Sequence, residues 1–102
     1  MPARFDRGLR VVGVVWYQEA DWPRLRALFA DADKLPDTYA EWLASAEDLL
    51  AQLKRAGIDG ERVPLDPDVF SAWCVARGLA PDAQARSRYA SEVVAAERRP
   101  RH

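Results

Sequence analysis

The stretch from Leu35 to Gly57, LPDTYAEWLASAEDLLAQLKRAG, constrains the fold most, because it encodes both ends of one long helix. Thr38-Tyr39-Ala40-Glu41 has the S/T-x-x-E form of a capping box, in which the Thr38 hydroxyl and the Glu41 carboxylate satisfy N–H groups that a first helical turn leaves unpaired. Tyr39, Trp42, Leu43, Ala46, Leu49, Leu50 and Leu53 recur at three- and four-residue spacing and predict one apolar face, with the Leu-rich second half as core. Gly57 supplies a left-handed stop.

A helix of that length in a chain of 102 residues leaves room for one compact domain and no second. Apolar residues make up 49% of the chain and charged residues 30%, which argues against intrinsic disorder. Residues 1–10 read as a flexible lead-in, 11–97 as a single α/β domain and 98–102 as a basic flexible tail. The lone Cys74 has no intramolecular disulfide partner, and no long apolar run suggests membrane insertion, so a cytoplasmic location is expected. Residues 11–85 hold 13 acidic against 7 basic side chains, so the basic charge sits at the two ends. An acidic body repels phosphate backbones, so nucleic acid is not the expected partner.

Either side of the long helix the chain alternates strand and helix signals. Val11 to Tyr17 is β-branched and aromatic without a charge, which predicts a strand buried on both faces, and Gly13 within it marks a close backbone approach. Asp21-Trp22-Pro23 predicts a helix capped by the aspartate, with Leu25, Leu28 and Phe29 buried, fading around Ala30 to Ala32. After Gly57, Ile58-Asp59-Gly60 reads as a turn and Glu61 to Leu65 as a second strand, whose Pro64 must lie at an edge or face away from its neighbour. Asp66-Pro67 starts a third helix, lined by Val69, Phe70, Trp73 and Cys74 and ended by Gly78. Pro81-Asp82 starts a fourth, with Tyr89, Val93, Val94 and Ala96 inward and Arg86, Arg88 and Glu92 largely outside.

The predicted fold is therefore α/β (α+β): a βααβαα chain with a two-stranded sheet and four helices. Its halves share a pattern that fits an internal βαα duplication or convergence on common capping chemistry. Two strands alone make a marginal sheet. A homodimer pairing the first strand with its copy would extend it to four strands in the order 2-1-1′-2′.

Chemistry is harder to find. His102 is the only histidine and the last residue, and Cys74 sits beside Trp73 on an apolar helix face, where a buried structural thiol is expected. One cysteine and one terminal histidine build no zinc site. Asp31-Ala32-Asp33 lacks the glycine and glutamate of an EF-hand loop, and no Gly-rich phosphate loop is present, so neither metal nor cofactor is expected. The aromatics fall at strand ends and first helical turns. Trp16, Trp22, Tyr39 and Trp42, with Asp31, Asp33 and Arg86, form the candidate ligand site, set against the plainer alternative that the rings are simply core. No catalytic residue is assigned. The favoured function is non-enzymatic binding by a homodimer, and the rival is a small-ligand sensor or enzyme using that aromatic and acidic pocket.

The segments LPDTYAEWLASAE, FSAWCVARGLAPDAQAR and YASE resemble a group of short bacterial proteins of uncharacterised function. The resemblance spans most of Trp16 to Glu97 and implies one small α/β domain of bacterial origin, with no activity to carry over. An Ala- and Arg-rich, Lys-poor composition fits a GC-rich bacterial source.

Overall fold

A computed structural model describes residues 10–97. The expected lead-in before Arg10 and the basic tail after Glu97 lie outside the described residues. The element order is β1 (Arg10–Trp16), α1 (Trp22–Leu28), α2 (Tyr39–Arg55), β2 (Ile58–Pro64), α3 (Pro67–Arg77) and α4 (Ala83–Glu97). The fold is the expected βααβαα arrangement, α+β with four helices and a two-stranded sheet. Short 3₁₀ turns at Glu19–Asp21 and Ala32–Lys34 bracket α1.

The capping chemistry acts where the sequence places it. The Glu41 N–H donates to the Thr38 hydroxyl and the Thr38 N–H to the Glu41 carboxylate, so both halves of the capping box form. Asp66 accepts from the N–H groups of Asp68 and Val69 at the start of α3. Gly57 and Gly78 both take positive φ where α2 and α3 end. At α1 the expectation fails. Asp21 makes no side-chain cap, because the 3₁₀ turn holds it in a helical conformation where an N-cap needs an extended one. The helix also stops at Leu28, short of Ala30, where Phe29 turns extended and the Ala30 N–H donates to the Pro81 carbonyl.

β1 and β2 run parallel, with Val12 opposite Gly60 and Trp16 opposite Pro64. The second strand starts at Ile58, three residues before the sequence suggested. Gly57 reverses the chain at once, so Ile58 to Gly60 already pair with Arg10 to Val12. The Leu65 N–H donates to the Trp16 carbonyl. Successive residues of a strand turn their N–H and C=O to opposite edges, so Val12, Val14 and Trp16 address β2 while Val11, Gly13 and Val15 address the outer edge. On β2 the same alternation points Pro64 outward, where its missing N–H costs nothing.

The two faces of the sheet are covered crosswise: α2 lies mainly on β2, and α4 mainly on β1. Each contact depends on a glycine. A Cβ at Gly13 would stand 2.8 Å from the Ala90 carbonyl oxygen, and one at Gly60 would stand 2.7 Å from Leu50 Cδ2. The close approach expected at Gly13 is therefore observed. Each half's second helix covers the other half's strand, while α1 and α3 meet each other, as an approximate twofold axis along the strands would arrange them.

The main core contains Tyr17, Trp22, Leu25, Phe29, Trp42, Ala46, Leu65, Phe70, Cys74 and Ala85. A smaller cluster of Val63, Ala90 and Val94 lies between α4 and the sheet. Four burial expectations are overturned, the first on α3, where Val69, expected to line the buried face, is 54% exposed because one residue of helical rotation carries it off the Phe70–Cys74 line. β1 is not buried on both faces, and Val12 is 42% exposed. In the Leu-rich half of α2, Leu49 is 42% exposed and Leu50 and Leu53 are half-buried, because nothing among the described residues covers the sheet beyond β1. On α4, Ala96 is exposed and Arg86, expected outside, is only 8% exposed.

Candidate functional site

The end of β1, the start of α1 and the first turn of α2 bring the four expected aromatics together around Tyr17. Trp16 meets Trp42 edge to face at 5.2 Å between ring centroids, Tyr39 lies 5.4 Å from Trp42, and Trp22 lies 6.0 Å from Tyr39. Tyr17 is 4.6 Å from Trp42 and 5.7 Å from Phe29. From Phe29 the contacts continue through Phe70 to Trp73 and Tyr89. The Tyr39 hydroxyl donates to the Tyr17 carbonyl at 2.9 Å and fixes the first turn of α2 against the strand end. Trp22, Trp42 and Tyr17 are buried. Of the four expected rings Trp16 and Tyr39 are partly open, and Arg62 lies 4.6 Å above the Trp16 ring.

The acidic part of the candidate site divides. Asp31 receives two hydrogen bonds from Arg86, at 2.8 and 2.9 Å, while Asp33 stays exposed on its 3₁₀ turn. The Arg86 guanidinium also lies 4.3 Å from the centre of the Phe29 ring. Its hydrogen bonds hold the Asp31 carboxyl below the usual carboxylate range. Burial pushes the Tyr17 hydroxyl up to about 12, against the pull of Arg86 and with the help of Asp31. Arg86 and Asp31 thus satisfy each other, so neither presents a free charge to a ligand. Among the described residues no three His, Cys, Asp or Glu side chains converge as metal ligands.

A concave surface lies along the outer edge of β1. A cleft of about 410 Å³ is bounded by Val12 to Val15 of the strand, by Trp42, Leu49 and Leu53 of α2, and by Ala83, Arg86, Ser87 and Ala90 of α4, with Leu35 and Tyr17 at one end. Of the seven expected site residues only Trp42 and Arg86 reach it. The sequence does carry a signal for the rest: an all-apolar strand and a helix with more leucines than one face of a small core needs. The strand predicts pairing with a second copy, whereas the leucines of α2 predict burial within one chain.

A family model described as a domain of unknown function, DUF8829, matches residues 5–101. The chain belongs to this family. No curated protein and no solved structure matches it. The match carries no activity, so what the DUF8829 surface can do follows from its geometry. Its cleft offers apolar side chains and, at Gly13 and Val15, outward backbone groups that no described strand satisfies. Such a surface suits an extended chain, which brings its own row of N–H and C=O groups. No helix among the described residues is long and apolar enough to cross a membrane.

Proposed function

We propose that this DUF8829 chain is a small non-enzymatic interaction domain of the bacterial cytoplasm, acting as a homodimer, and that it binds through the outer edge of β1. The single Cys74, kept as a buried thiol, supports a reducing compartment. The observation carrying the proposal is the cleft along a strand edge that no described strand pairs. An exposed strand edge invites pairing, and proteins that must avoid it blunt the edge with proline or charge. β2 has both: Pro64 and Arg62 address its outer edge. β1 between Val11 and Trp16 has neither, and its exposed Val12 stands beside the exposed Leu49. Antiparallel pairing of β1 with its copy would complete a four-stranded sheet in the order 2-1-1′-2′ and cover both residues.

Light scattering at micromolar concentration tests this. The wild-type chain of 11.5 kDa should scatter as a particle of twice that mass. Val12→Lys should scatter as a monomer with an unchanged circular dichroism spectrum. A monomeric wild type would remove the homodimer. The second reading is a small apolar ligand, favoured by Trp42 and Arg86 both reaching the cleft. It would gain if a monomeric wild type bound anilinonaphthalene sulfonate and quenched its tryptophan fluorescence.

A further inference from the structure

We infer that the second copy docks in one register, with the twofold axis at Gly13, and that a stripe of small residues on α4 forms a second layer of the same interface. This rests on the homodimer proposed above and specifies how it is built. Antiparallel pairing joins outward-facing residues to outward-facing residues, so Val11, Gly13 and Val15 must meet their own kind. With the axis at Gly13, Val11 stands opposite Val15 of the second copy and Val12 opposite its Val14. Arg10 stands opposite its Trp16, a guanidinium beside an indole. All seven residues of β1 (Arg10–Trp16) are then paired. A slip of two residues, the smallest that keeps outward groups matched, moves the axis to Val12 or Val14, leaves two residues of β1 unpaired and sets Gly13 opposite a valine.

The axis at Gly13 has a consequence on the α4 face. The helix crosses β1 at this glycine, where the Ala90 carbonyl leaves no room for a Cβ. Neighbouring strands are about 4.8 Å apart, whereas packed helices usually need about 8–10 Å between axes. Two copies of α4, each reaching past β1 to its own β2, can flank the axis in contact only if the surfaces they turn to each other are small. Ala83, Ser87, Ser91 and Ala95 recur every fourth residue along α4 and are all exposed, and Ala83 and Ser87 line the cleft. A ridge at that spacing is what helix-on-helix packing uses. A second layer is also needed for area, since stable dimers bury about 1,200–2,000 Å² and one short strand edge supplies only part of it. On the opposite face, Val12, Leu49 and Leu53 complete the contact.

Cysteine cross-linking reads the register. Residues directly opposite in a non-hydrogen-bonded antiparallel pair lie about 4.5 Å apart at Cα, within disulfide range, and Cys74 is buried away from competition. V12C and V14C, one of them carrying a longer tag, are oxidised separately and as a mixture. The mixture should give the mixed-tag disulfide dimer, and neither variant alone should cross-link. Cross-linking of V12C with itself, of V14C with itself, or no cross-link in a sample that scatters as a dimer would overturn the register and leave the homodimer standing. Ser91→Arg should weaken association at least ten-fold, while Ala76→Arg on the exposed side of α3 should not. An unaltered dimer in Ser91→Arg would remove the helical layer alone. A monomeric wild type would remove both the register and the homodimer.

Discussion

Asp31 and Arg86 lie 55 positions apart and form the most enclosed ion pair among the described residues, with side chains 16% and 9% exposed. Removing one partner of an enclosed pair leaves the other charge unsatisfied, which costs about 3 kcal/mol. Asp31→Asn should therefore lower the unfolding free energy in urea by about that amount. The pair also fixes an acid dependence. Arg86 holds the folded-state pKa of Asp31 below its unfolded value, so the stabilisation is complete above the unfolded value of about 4 and is lost as pH falls through the folded one. Wild-type stability should fall more steeply than that of Asp31→Asn below pH ~4, and equal slopes in urea titrations would contradict the assignment. Both residues stand out in the sequence, but as ligand contacts. Their pairing depends on the hydrogen bond from Ala30 to Pro81, which ties the loop after α1 to the loop before α4, and no local pattern encodes a tie between segments so distant.

Among the elements, legibility followed how local the cause was. The start of α2 could be read because its capping box involves residues three apart, and the ends of α2 and α3 because a glycine with positive φ stops each. The burial of the α2 leucines could not, because it depends on what lies across the sheet. Gly13 and Gly60 give the sharpest prediction at this scale, since both admit a helix and only one admits it rigidly. At Gly13 an added Cβ meets the Ala90 carbonyl, a backbone atom of α4, and Val94 Cγ2 at 2.9 Å. At Gly60 it meets the tips of Leu50 and Leu53, side chains only half-buried and able to turn aside. Gly13→Ala should destabilise by about 1–3 kcal/mol, as an overpacked contact does. Gly60→Ala should cost under about 1 kcal/mol, because relief of glycine's conformational entropy offsets part of the strain. Urea midpoints of the two variants decide it, and an equal or reversed cost would mean that α4 does not rest on β1 as described.

At the scale of the whole molecule, the features left without a purpose inside one chain share one surface. The apolar strand edge, the exposed leucine of α2 and the small residues Ala83 and Ser87 of α4 all border the outer side of β1, while β2 presents proline and charge on its own outer side. The sequence predicts the apolar β1 as a dimer edge but places the candidate ligand site among rings of which Trp22 and Trp42 are buried, because a ring's position along the chain does not show what covers it. If the unfilled side is closed by a second copy, unfolding is coupled to dissociation, and the thermal midpoint must depend on protein concentration. A hundred-fold rise in concentration adds about 2.7 kcal/mol per mole of dimer. For a unit of some 200 residues this raises Tm by roughly 5–10 °C. Scanning calorimetry over that range should show the shift in wild type and none in Val12→Lys, whose added charge at the edge blocks pairing without touching the fold within one chain. A Tm that stays constant in wild type would mean that the two-stranded sheet is complete in the monomer and that the cleft beside β1 serves some smaller occupant.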